Sequence, residues 1–145
     1  MRIRSLESSD YGKQYVQLLN VLTGEDKNNK NKTLSSSAYQ EILDSLNPCH
    51  RVLVVEKDNL IIATMTVLIE RKFIHGGSKV LHVEDVIVHP FYQKQGIGKK
   101  LVQEALRIAV EEHCYKTILD CSRENIPFYE SCGFQNKQCQ MSVYH

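Results

Sequence analysis

The spacing of hydrophobic residues in the first third of this chain predicts an edge strand followed by two helices. The strand is Met1 to Arg4. Apolar side chains then recur at helical spacing behind a Ser8-Ser9-Asp10 cap and up to Gly24, and again in a short segment before Pro48. The polar stretch from Glu25 to Ser37 predicts a mobile loop between the two helices. Their apolar faces are Tyr11, Tyr15, Leu18, Leu19 and Leu22, then Tyr39, Ile42, Leu43 and Leu46.

The middle of the chain has the composition of strands. Arg51 to Glu56 and Leu60 to Ile69 are apolar runs separated by a tight polar turn, which predicts an antiparallel hairpin. Val80 to Val88 predicts a further strand, which ends at Pro90 because proline has no N–H to donate. An amphipathic helix then carries Leu101, Ala105, Ile108 and Ala109 on one face.

The last third predicts a strand, a short helix and a final strand. Lys116 to Cys121 is expected to be a strand buried on both faces and parallel to Val80–Val88. Asn125 and Pro127 suit the start of a helix from Ile126 to Cys132 that Gly133 closes, and Cys139 to Tyr144 completes the sheet. We expect one domain over residues 1–145, of the α/β (α+β) class, with a central, mixed and mostly antiparallel sheet flanked by helices.

Composition narrows the classes of function. The net charge is +1, from 18 basic and 17 acidic residues, and this balance argues against a nucleic-acid-binding protein. No apolar run reaches the roughly 18 residues of a membrane span. Five cysteines without C-x-x-C spacing indicate reduced thiols in a soluble, cytoplasmic protein, with neither a disulfide framework nor a metal site. A receptor-read organelle address stays open.

A glycine-containing turn, Gln93 to Lys99, joins the strand Val80–Val88 to the following helix. Glycines let the backbone approach a diphosphate, and the N-terminus of a helix favours an anion. Lys94, Lys99 and Lys100 add positive charge. The spacing is neither G-x-G-x-x-G nor that of a P-loop, and a solvated turn remains an alternative.

The turn resembles the Q/R-x-x-G-x-G/A motif of the GNAT superfamily of acyl-CoA N-acyltransferases, with matches at Gln93, Gly96 and Gly98. From about Val52 to the C-terminus the chain looks like one family of this superfamily, the glucosamine-6-phosphate N-acetyltransferases. The segments that carry this resemblance occur in the family's order. They are Glu70 to His75, His82 to Val86, Cys114 to Lys116, Leu119 to Cys121, Asn125, Phe128 to Glu130 and Cys132 to Phe134.

The resemblance implies transfer of an acetyl group from acetyl-CoA to the 2-amino group of glucosamine 6-phosphate, by direct attack, in UDP-N-acetylglucosamine biosynthesis. Glu84 would lie near the amine, the Asp120 carbonyl would orient it, and Tyr129 would stabilise the leaving sulfur. Two adjacent carboxylates, Glu84 and Asp85, are costly in an apolar strand without a function, and alternation predicts opposite faces for them. Considered without the family, Tyr129 is more often a structural residue that packs with Phe128 than a catalytic one.

The resemblance also assigns binding residues. The acetyl carbonyl would meet backbone N–H groups of Val86, Ile87 and Val88, where the sheet splays, and acetyl-CoA would further contact Gln93, Lys94, Gln95, Gly96, Ile97, Gly98, Lys99, Asn125 and Tyr129. The sugar phosphate would contact Thr23, Lys72, Phe73, Ile74, His75, Glu84, Asp85, Tyr115 and Lys116. Tyr115 and Lys116 would come from the second subunit of a homodimer that exchanges C-terminal strands. No metal is implied.

One departure and three alternatives remain. Tyr144 stands where the family usually has an arginine that binds the phosphate. The acceptor could instead be another amine, such as a polyamine, a protein N-terminus or a lysine, although the cations Lys72, His75 and Lys116 favour an anionic acceptor. A non-catalytic acetyl-CoA sensor is a second alternative. A cysteine nucleophile at Cys121 or Cys132 is a third, but small buried fillers explain these residues better.

Overall fold

Five of the six predicted strands form one sheet in which the strand order is the chain order. The structure, a computed structural model, describes residues 1–23 and 34–145. Within these ranges β1 to β4 pair antiparallel and β5 pairs parallel to β4. The elements are β1 (Arg2–Ser5), α1 (Tyr15–Thr23), α2 (Ser36–Ser45), β2 (His50–Lys57), β3 (Leu60–Arg71), β4 (Lys79–Val88), α3 (Ile97–Glu111), β5 (Cys114–Ile118) and α4 (Ile126–Ser131).

The hairpin of β2 and β3 is confirmed, and its turn explains the polar residues there. Lys57 pairs with Leu60, which leaves Asp58 and Asn59 as the two turn residues. Their φ angles are 51° and 62°, in the left-handed region that Asp and Asn tolerate better than most side chains. The polar dipeptide therefore suits the left-handed backbone of the turn as well as its contact with solvent.

Two apolar clusters pack on the two faces of the sheet. On one face, Leu101, Ala105 and Ile108 of α3 contact buried residues of β2, β3 and β4, as the helical spacing predicted. On the other face, α1 and α2 supply Tyr15, Leu18 and Tyr39. The sheet is thereby fixed between helices, and its central strands β3 and β4 present a rigid frame. No helix in residues 1–23 or 34–145 is long and apolar enough to cross a membrane.

The first helix starts later than predicted. Ser8–Gly12 forms a separate 3-10 turn, Gln14 has φ 63°, and α1 begins at Tyr15. The polar segment is not a cap for α1 because Asp10 is fully buried and accepts two hydrogen bonds from the Arg4 guanidinium, at 2.7 and 2.8 Å. The predicted end of this helix at Gly24 lies outside the described residues.

Most of the predicted loop Glu25–Ser37 also lies outside the described residues. The part inside them differs from the prediction at its end, because α2 begins at Ser36. The Ser35 hydroxyl accepts a hydrogen bond from the Ala38 N–H and so caps α2. The second helix itself is confirmed, with Tyr39 buried.

The end of the sheet differs most from the prediction. β5 covers Cys114–Ile118 instead of Lys116–Cys121, and its residues are half-buried or exposed instead of buried on both faces. Cys139–Tyr144 forms no strand within the described part of the chain, and Met141, Val143 and Tyr144 are exposed. The exposure of β5 and the missing final strand have one cause, since β5 is the edge of the sheet and has no strand on its outer side in this single chain.

The buried Arg4–Asp10 pair generates a prediction about stability. Burial by itself would raise the pKa of Asp10, but the hydrogen bonds from Arg4 and from the Glu7 N–H outweigh it and lower the pKa. Asp10→Asn should therefore lower the free energy of unfolding by about 3 kcal/mol, since Arg4 loses a buried partner. Urea unfolding at neutral pH measures this.

The pH dependence follows from the same pair. The stabilisation by the Asp10 carboxylate is complete above the pKa of an unfolded aspartate and is lost as the pH falls through the lower, folded-state pKa. The difference between Asp10→Asn and the wild type should therefore shrink towards acid. Asp44→Asn, at an exposed position, is the matched control and should change little. An equal loss for both variants would contradict this role of the pair.

Candidate active site

The site is an open groove created where β4 and β5 separate. Their pairing runs from Lys79 with Cys114 to His82 with Ile118 and stops there, whereas β4 continues to pair with β3 as far as Val88. The groove that begins at this point has a volume of about 890 Å³. The side chains that line it include His82, Glu84, Lys116, Asp120, Cys121, Tyr129 and Cys132. The predicted splay of the sheet is thus present, and Glu84, Asp120 and Tyr129 lie together in it.

A β-bulge in β4 sets the direction of the two adjacent carboxylates. Val83 packs on the α3 face and Ile87 on the α1 face, although residues four apart in a regular strand share a face. The register shift opposite Met65 and the φ of 50° at Asp85 place the additional residue at Asp85. Simple alternation therefore does not apply across Asp85, and the opposite faces expected for Glu84 and Asp85 stay a prediction.

Electrostatics couple Glu84 to the charges of Asp120 and Asp85. Partial burial raises the pKa of Glu84, and the negative charges of Asp120 and Asp85 raise it further. Burial also raises the pKa of Tyr15 on α1, and Asp85 adds to this effect. Glu84 is therefore a more basic carboxylate than an exposed one, and the three acidic groups together attract a cationic amine.

The backbone of β4 offers donors to the groove. The His89 N–H bonds to the Ile62 carbonyl of β3 at 2.8 Å, so the peptide groups of residues 87 and 89 point towards β3. By alternation the peptide group of Val88, which lies beyond the bulge, points away from β3, towards the gap. The Val88 carbonyl accepts a hydrogen bond there from the Gln93 amide, at 3.1 Å. Of the predicted backbone contacts, Val88 is directed into the gap and Ile87 towards β3, whereas the contact of Val86, inside the bulge, stays a prediction.

The turn before α3 has the backbone of an anion site. Lys94 and Gly96 have φ angles of 58° and 80°, and the first bond of the helix runs from the Lys100 N–H to the Gly96 carbonyl. The N–H groups up to Lys99 therefore have no acceptor within the helix. The Gln95 amide bonds to the Phe91 carbonyl at 3.1 Å and holds the turn, and the Ile97 side chain is buried in the core. Only the backbone of Ile97 can therefore reach a ligand.

The two glycines of the turn are required for different reasons. Gly96 is in the left-handed region, and a Cβ there would meet no atom within 4 Å. Gly98 is helical, but its Cβ would lie 3.2 Å from Cζ of Phe128 and 3.7 Å from Cγ2 of Val88. The close approach of α4 to α3 thus favours glycine at position 98, in addition to any approach of a diphosphate.

Tyr129 combines the two roles that the sequence left open. Its ring makes edge contacts with Phe128 and Phe134, with centroids 4.9 and 6.0 Å apart, so it packs in an aromatic cluster. It also lines the groove, where burial first, and then Cys121, Cys132 and Asp120, raise its pKa to about 12. The phenol therefore stays protonated at neutral pH and can donate a hydrogen bond.

Asn125 occupies the N-cap position of α4, but its side chain makes no capping bond and is exposed.

The predicted sugar contacts are only partly brought together. Lys116 lines the groove of its own chain, and its ammonium also lies 5.5 Å from the centroid of the Tyr115 ring. The His75 ring packs on Tyr115 at 4.6 Å, beside the exposed Phe73 and Ile74 of the β3–β4 connection. The Lys72 ammonium forms an ion pair with Glu70 at 2.6 Å, and this carboxylate partly neutralises the positive charge that a ligand would meet. Thr23 ends α1 and does not line the groove.

Other side chains in the groove bear on the alternatives. Cys121 is exposed, so the expectation of a buried filler is wrong for it. Partial burial and the charge of Asp120 raise the pKa of its thiol, which opposes a thiolate nucleophile. Among residues 1–23 and 34–145, no three His, Cys, Asp or Glu side chains are grouped to hold a metal ion.

Sequence reasoning missed His82 and Glu70. Their side chains bond at 2.8 Å, and His82 lines the groove two residues before Glu84. The two-residue period of the predicted strand was the available signal, since it places His82 on the face of Glu84.

The comparisons with known proteins agree with this geometry. The model of the acetyltransferase (GNAT) family matches residues 13–134. The glucosamine 6-phosphate N-acetyltransferase of Arabidopsis thaliana is 39% identical, over 99% of this chain and 95% of that protein. A crystal structure of glucosamine-6-phosphate N-acetyltransferase from Arabidopsis thaliana superposes with a TM-score of 0.91 at 36% identity, covering 99% of this chain and 97% of the other.

This chain belongs to the GNAT family, among the glucosamine 6-phosphate N-acetyltransferases. A Candida albicans enzyme of that name is 35% identical over 95% of this chain and 91% of its own length. A Trypanosoma brucei acetyltransferase structure superposes with a TM-score of 0.87 at 33% identity, covering 99% of both chains. The GNAT fold predicted from the glycine turn is confirmed, and the family uses acetyl-CoA.

Gly96 and Gly98 should respond differently to alanine. Gly96→Ala should destabilise the protein by about 1–2 kcal/mol because an L-residue is strained in the left-handed region. Gly98→Ala should displace the Phe128 ring and weaken acetyl-CoA binding, and the bulkier Gly98→Val should weaken it more. Urea unfolding and calorimetric titration with acetyl-CoA measure the two effects.

A second substitution separates the causes. Phe128→Leu should restore acetyl-CoA binding to Gly98→Ala but should leave Gly96→Ala unchanged. Alanine at a helical glycine without a steric conflict would instead stabilise the helix by up to about 1 kcal/mol. Such a gain for Gly98→Ala, with intact binding, would show that the contact with Phe128 does not limit the turn.

Tyr129→Phe tests the phenol without removing the ring. It should lower kcat by about 100-fold and leave acetyl-CoA binding and stability nearly unchanged, because the aromatic cluster is kept. The pKa near 12 further implies that Tyr129 causes no loss of activity between pH 7 and 10. Steady-state kinetics over that range checks both statements. Phe134→Leu is the packing control, and full turnover by Tyr129→Phe at saturating substrate would remove the phenol from the mechanism.

Proposed function

We propose that this chain transfers the acetyl group of acetyl-CoA to the 2-amino group of glucosamine 6-phosphate. The products are N-acetylglucosamine 6-phosphate and CoA. The observation that supports this most directly is the groove where β4 and β5 diverge, since it combines Glu84, Asp120 and Tyr129 beside an unpaired strand edge. The names of the similar proteins support the same reaction.

The amine would be activated at Glu84. Three carboxylates attract the ammonium form, and Glu84, with its raised pKa, is the best base among them because it is partly buried. The Asp120 backbone carbonyl would accept a hydrogen bond from the amine and fix its lone pair towards the thioester. Direct attack then needs no acyl-enzyme, which agrees with a Cys121 thiol that stays protonated.

The thioester would lie along the open edge of β4. The Val88 N–H points into the gap, where it would polarise the acetyl carbonyl together with the N–H of Val86, and the pantetheine would pair there like a strand. The diphosphate would lie at the N-terminus of α3, with Lys94, Lys99 and Lys100 around it. Tyr129 would donate to the sulfur as the C–S bond breaks.

An anionic acceptor agrees with the cations nearby. Lys116 lines the same groove as the carboxylates, so one ligand with an amine and a phosphate can satisfy both charges. Another amine as acceptor is the second candidate, favoured by Lys72 being engaged with Glu70 and by Tyr144 standing in place of the family's arginine. The aminoglycoside acetyltransferases of similar structure are 19–21% identical to this chain and show the fold alone.

The proposed assembly is a homodimer in which C-terminal segments are exchanged. The exposed apolar residues Met141, Val143 and Tyr144 and the free edge of β5 support it, because each would cover the other across two chains. Tyr115 of one subunit would then lie near the sugar of the other, whereas Lys116, which was also expected from the second subunit, would serve the groove of its own chain that it lines. We further propose a cytoplasmic enzyme that supplies UDP-N-acetylglucosamine biosynthesis.

The acceptor is tested by free-thiol release from acetyl-CoA. The purified protein should turn over with glucosamine 6-phosphate and be at least about 100-fold slower, in kcat/KM, with glucosamine, spermidine or a lysine peptide, since the last three lack the phosphate. Lys116→Met should raise the KM for the phosphosugar more than that for glucosamine. Faster turnover with spermidine or the peptide would overturn the acceptor and leave the fold and the cofactor in place.

A further inference from the structure

A carboxylate–imidazole pair borders the proposed site and has no part in the reaction as described so far. The His82 Nε2 lies 2.8 Å from Oε2 of Glu70, whose other oxygen binds the Lys72 ammonium at 2.6 Å. The three residues come from β3, β4 and the segment that joins them. Such a carboxylate fixes both the orientation of the ring and the nitrogen that carries the proton.

The pair lies at the inner end of the groove. His82 makes the last β4–β5 backbone pair, with Ile118, and the separation of the strands begins directly after it. Its side chain lines the groove with Glu84, two residues further along the same face of β4. Side chains at this spacing are roughly 6.5 Å apart along a strand, a gap that one water molecule or a substrate hydroxyl can bridge.

The overall reaction needs an outlet for a proton. An ammonium acceptor and a thioester give an amide, a free thiol and one proton, so one proton has to leave the site in each turnover. The nitrogen loses two protons as the N–C bond forms and the C–S bond breaks. One reaches the sulfur by way of the Tyr129 phenol, which is reprotonated, and the other starts on Glu84.

We propose that His82, held by Glu70, is a positioning residue for Glu84 that receives this second proton and passes it to solvent. The inference rests on the proposed function. Glu84 and His82 are both half-buried, and the exposed fraction of the side chain then increases from 28% at His82 to 44% at Glu70. A bound acetyl-CoA and amino sugar would fill the groove over Glu84, whereas Glu70 remains at the surface.

The charges around His82 agree with this direction of transfer. From β3 and the following segment it faces Glu70 and Lys72, and from β4 it faces Glu84. Across the groove stand Lys116, Asp120, Cys121, Tyr129, Glu130 and Lys137. Burial, Asp120 and Asp85 raise the pKa of Glu84, whereas His82 acts in the opposite sense and favours the carboxylate. Loss of His82 should therefore leave Glu84 protonated to a higher pH.

His82→Ala, Glu70→Gln and the control His113→Asn, at an exposed position beyond α3, test the proposal with acetyl-CoA and glucosamine 6-phosphate. His82→Ala should lower kcat about 10-fold or more and shift the acidic limb of kcat/KM to higher pH, with the KM for acetyl-CoA unchanged. Added imidazole should restore part of its kcat in proportion to concentration. Glu70→Gln should show a smaller loss in the same direction, and His113→Asn none.

The outcomes separate this inference from the proposed function. The inference is overturned if the wild type turns over with glucosamine 6-phosphate and both His82→Ala and Glu70→Gln keep its kcat and its pH profile. It is also overturned if the variants lose kcat, still bind acetyl-CoA and unfold at the wild-type urea concentration, but regain no kcat with imidazole. That result would indicate a packing role alone. If the wild type itself gives no product with glucosamine 6-phosphate, the acceptor is wrong, and the same variants are then compared with the amine that is accepted.

Discussion

The divergence of β4 from β5 is the constraint on which the site depends. A parallel pair that stayed hydrogen-bonded as far as Val88 would satisfy the peptide groups of β4 that point away from β3 and leave no room for a ligand between the strands. Here the pairing stops at His82 and Ile118, while β3 keeps β4 in place on its other side. The open edge is therefore rigid and unsatisfied at once, and these two properties let a strand-like ligand bind without a large reorganisation of the protein.

The bulge at Asp85 adapts this edge to two purposes. Before the bulge, Glu84 and His82 face the α1 side of the sheet, and after it Val86 and Val88 pack towards the α3 cluster. One additional residue thus changes which side chains are buried and allows the strand to run from a carboxylate-lined segment into an apolar one. A left-handed φ at a residue other than glycine is strained, and the pairing of β3 with β4 on both sides of Asp85 maintains it. α3 then continues from the same strand, and the contact of Phe128 with Gly98 ties α4 and Tyr129 to the start of that helix.

The features that local chemistry determines could be predicted from the sequence. The β2–β3 turn follows from Asp58 and Asn59, the buried face of α3 follows from its apolar spacing, and the glycine turn follows from Gly96 with its positive φ. The bulge could not be predicted, because nothing in the residues around Asp85 distinguishes an additional residue from regular alternation, and its position depends on the register with β3. The Arg4–Asp10 pair was missed for a similar reason, since Ser8-Ser9-Asp10 has the composition of a helix cap and only the β1–β2 pairing buries the carboxylate. In the site, the resemblance pointed to Glu84 and Tyr129. It did not predict that Lys72 forms an ion pair with Glu70, because that contact depends on the path of the β3–β4 connection.

The predicted final strand fails for a more instructive reason. The alternation in Cys139–Tyr144 indicates that one face of the segment is suited to burial, but it does not indicate which chain provides the strand that the segment pairs with. In a single chain Met141 and Val143 are exposed, while β5 presents an outer edge that the described residues leave unpaired. An apolar extended segment and a free sheet edge are complementary, and exposure of both is unfavourable in a monomer. The segment would therefore become a strand only when a second copy supplies the edge, so the groove bordered by residues of this tail would be complete only in the proposed dimer.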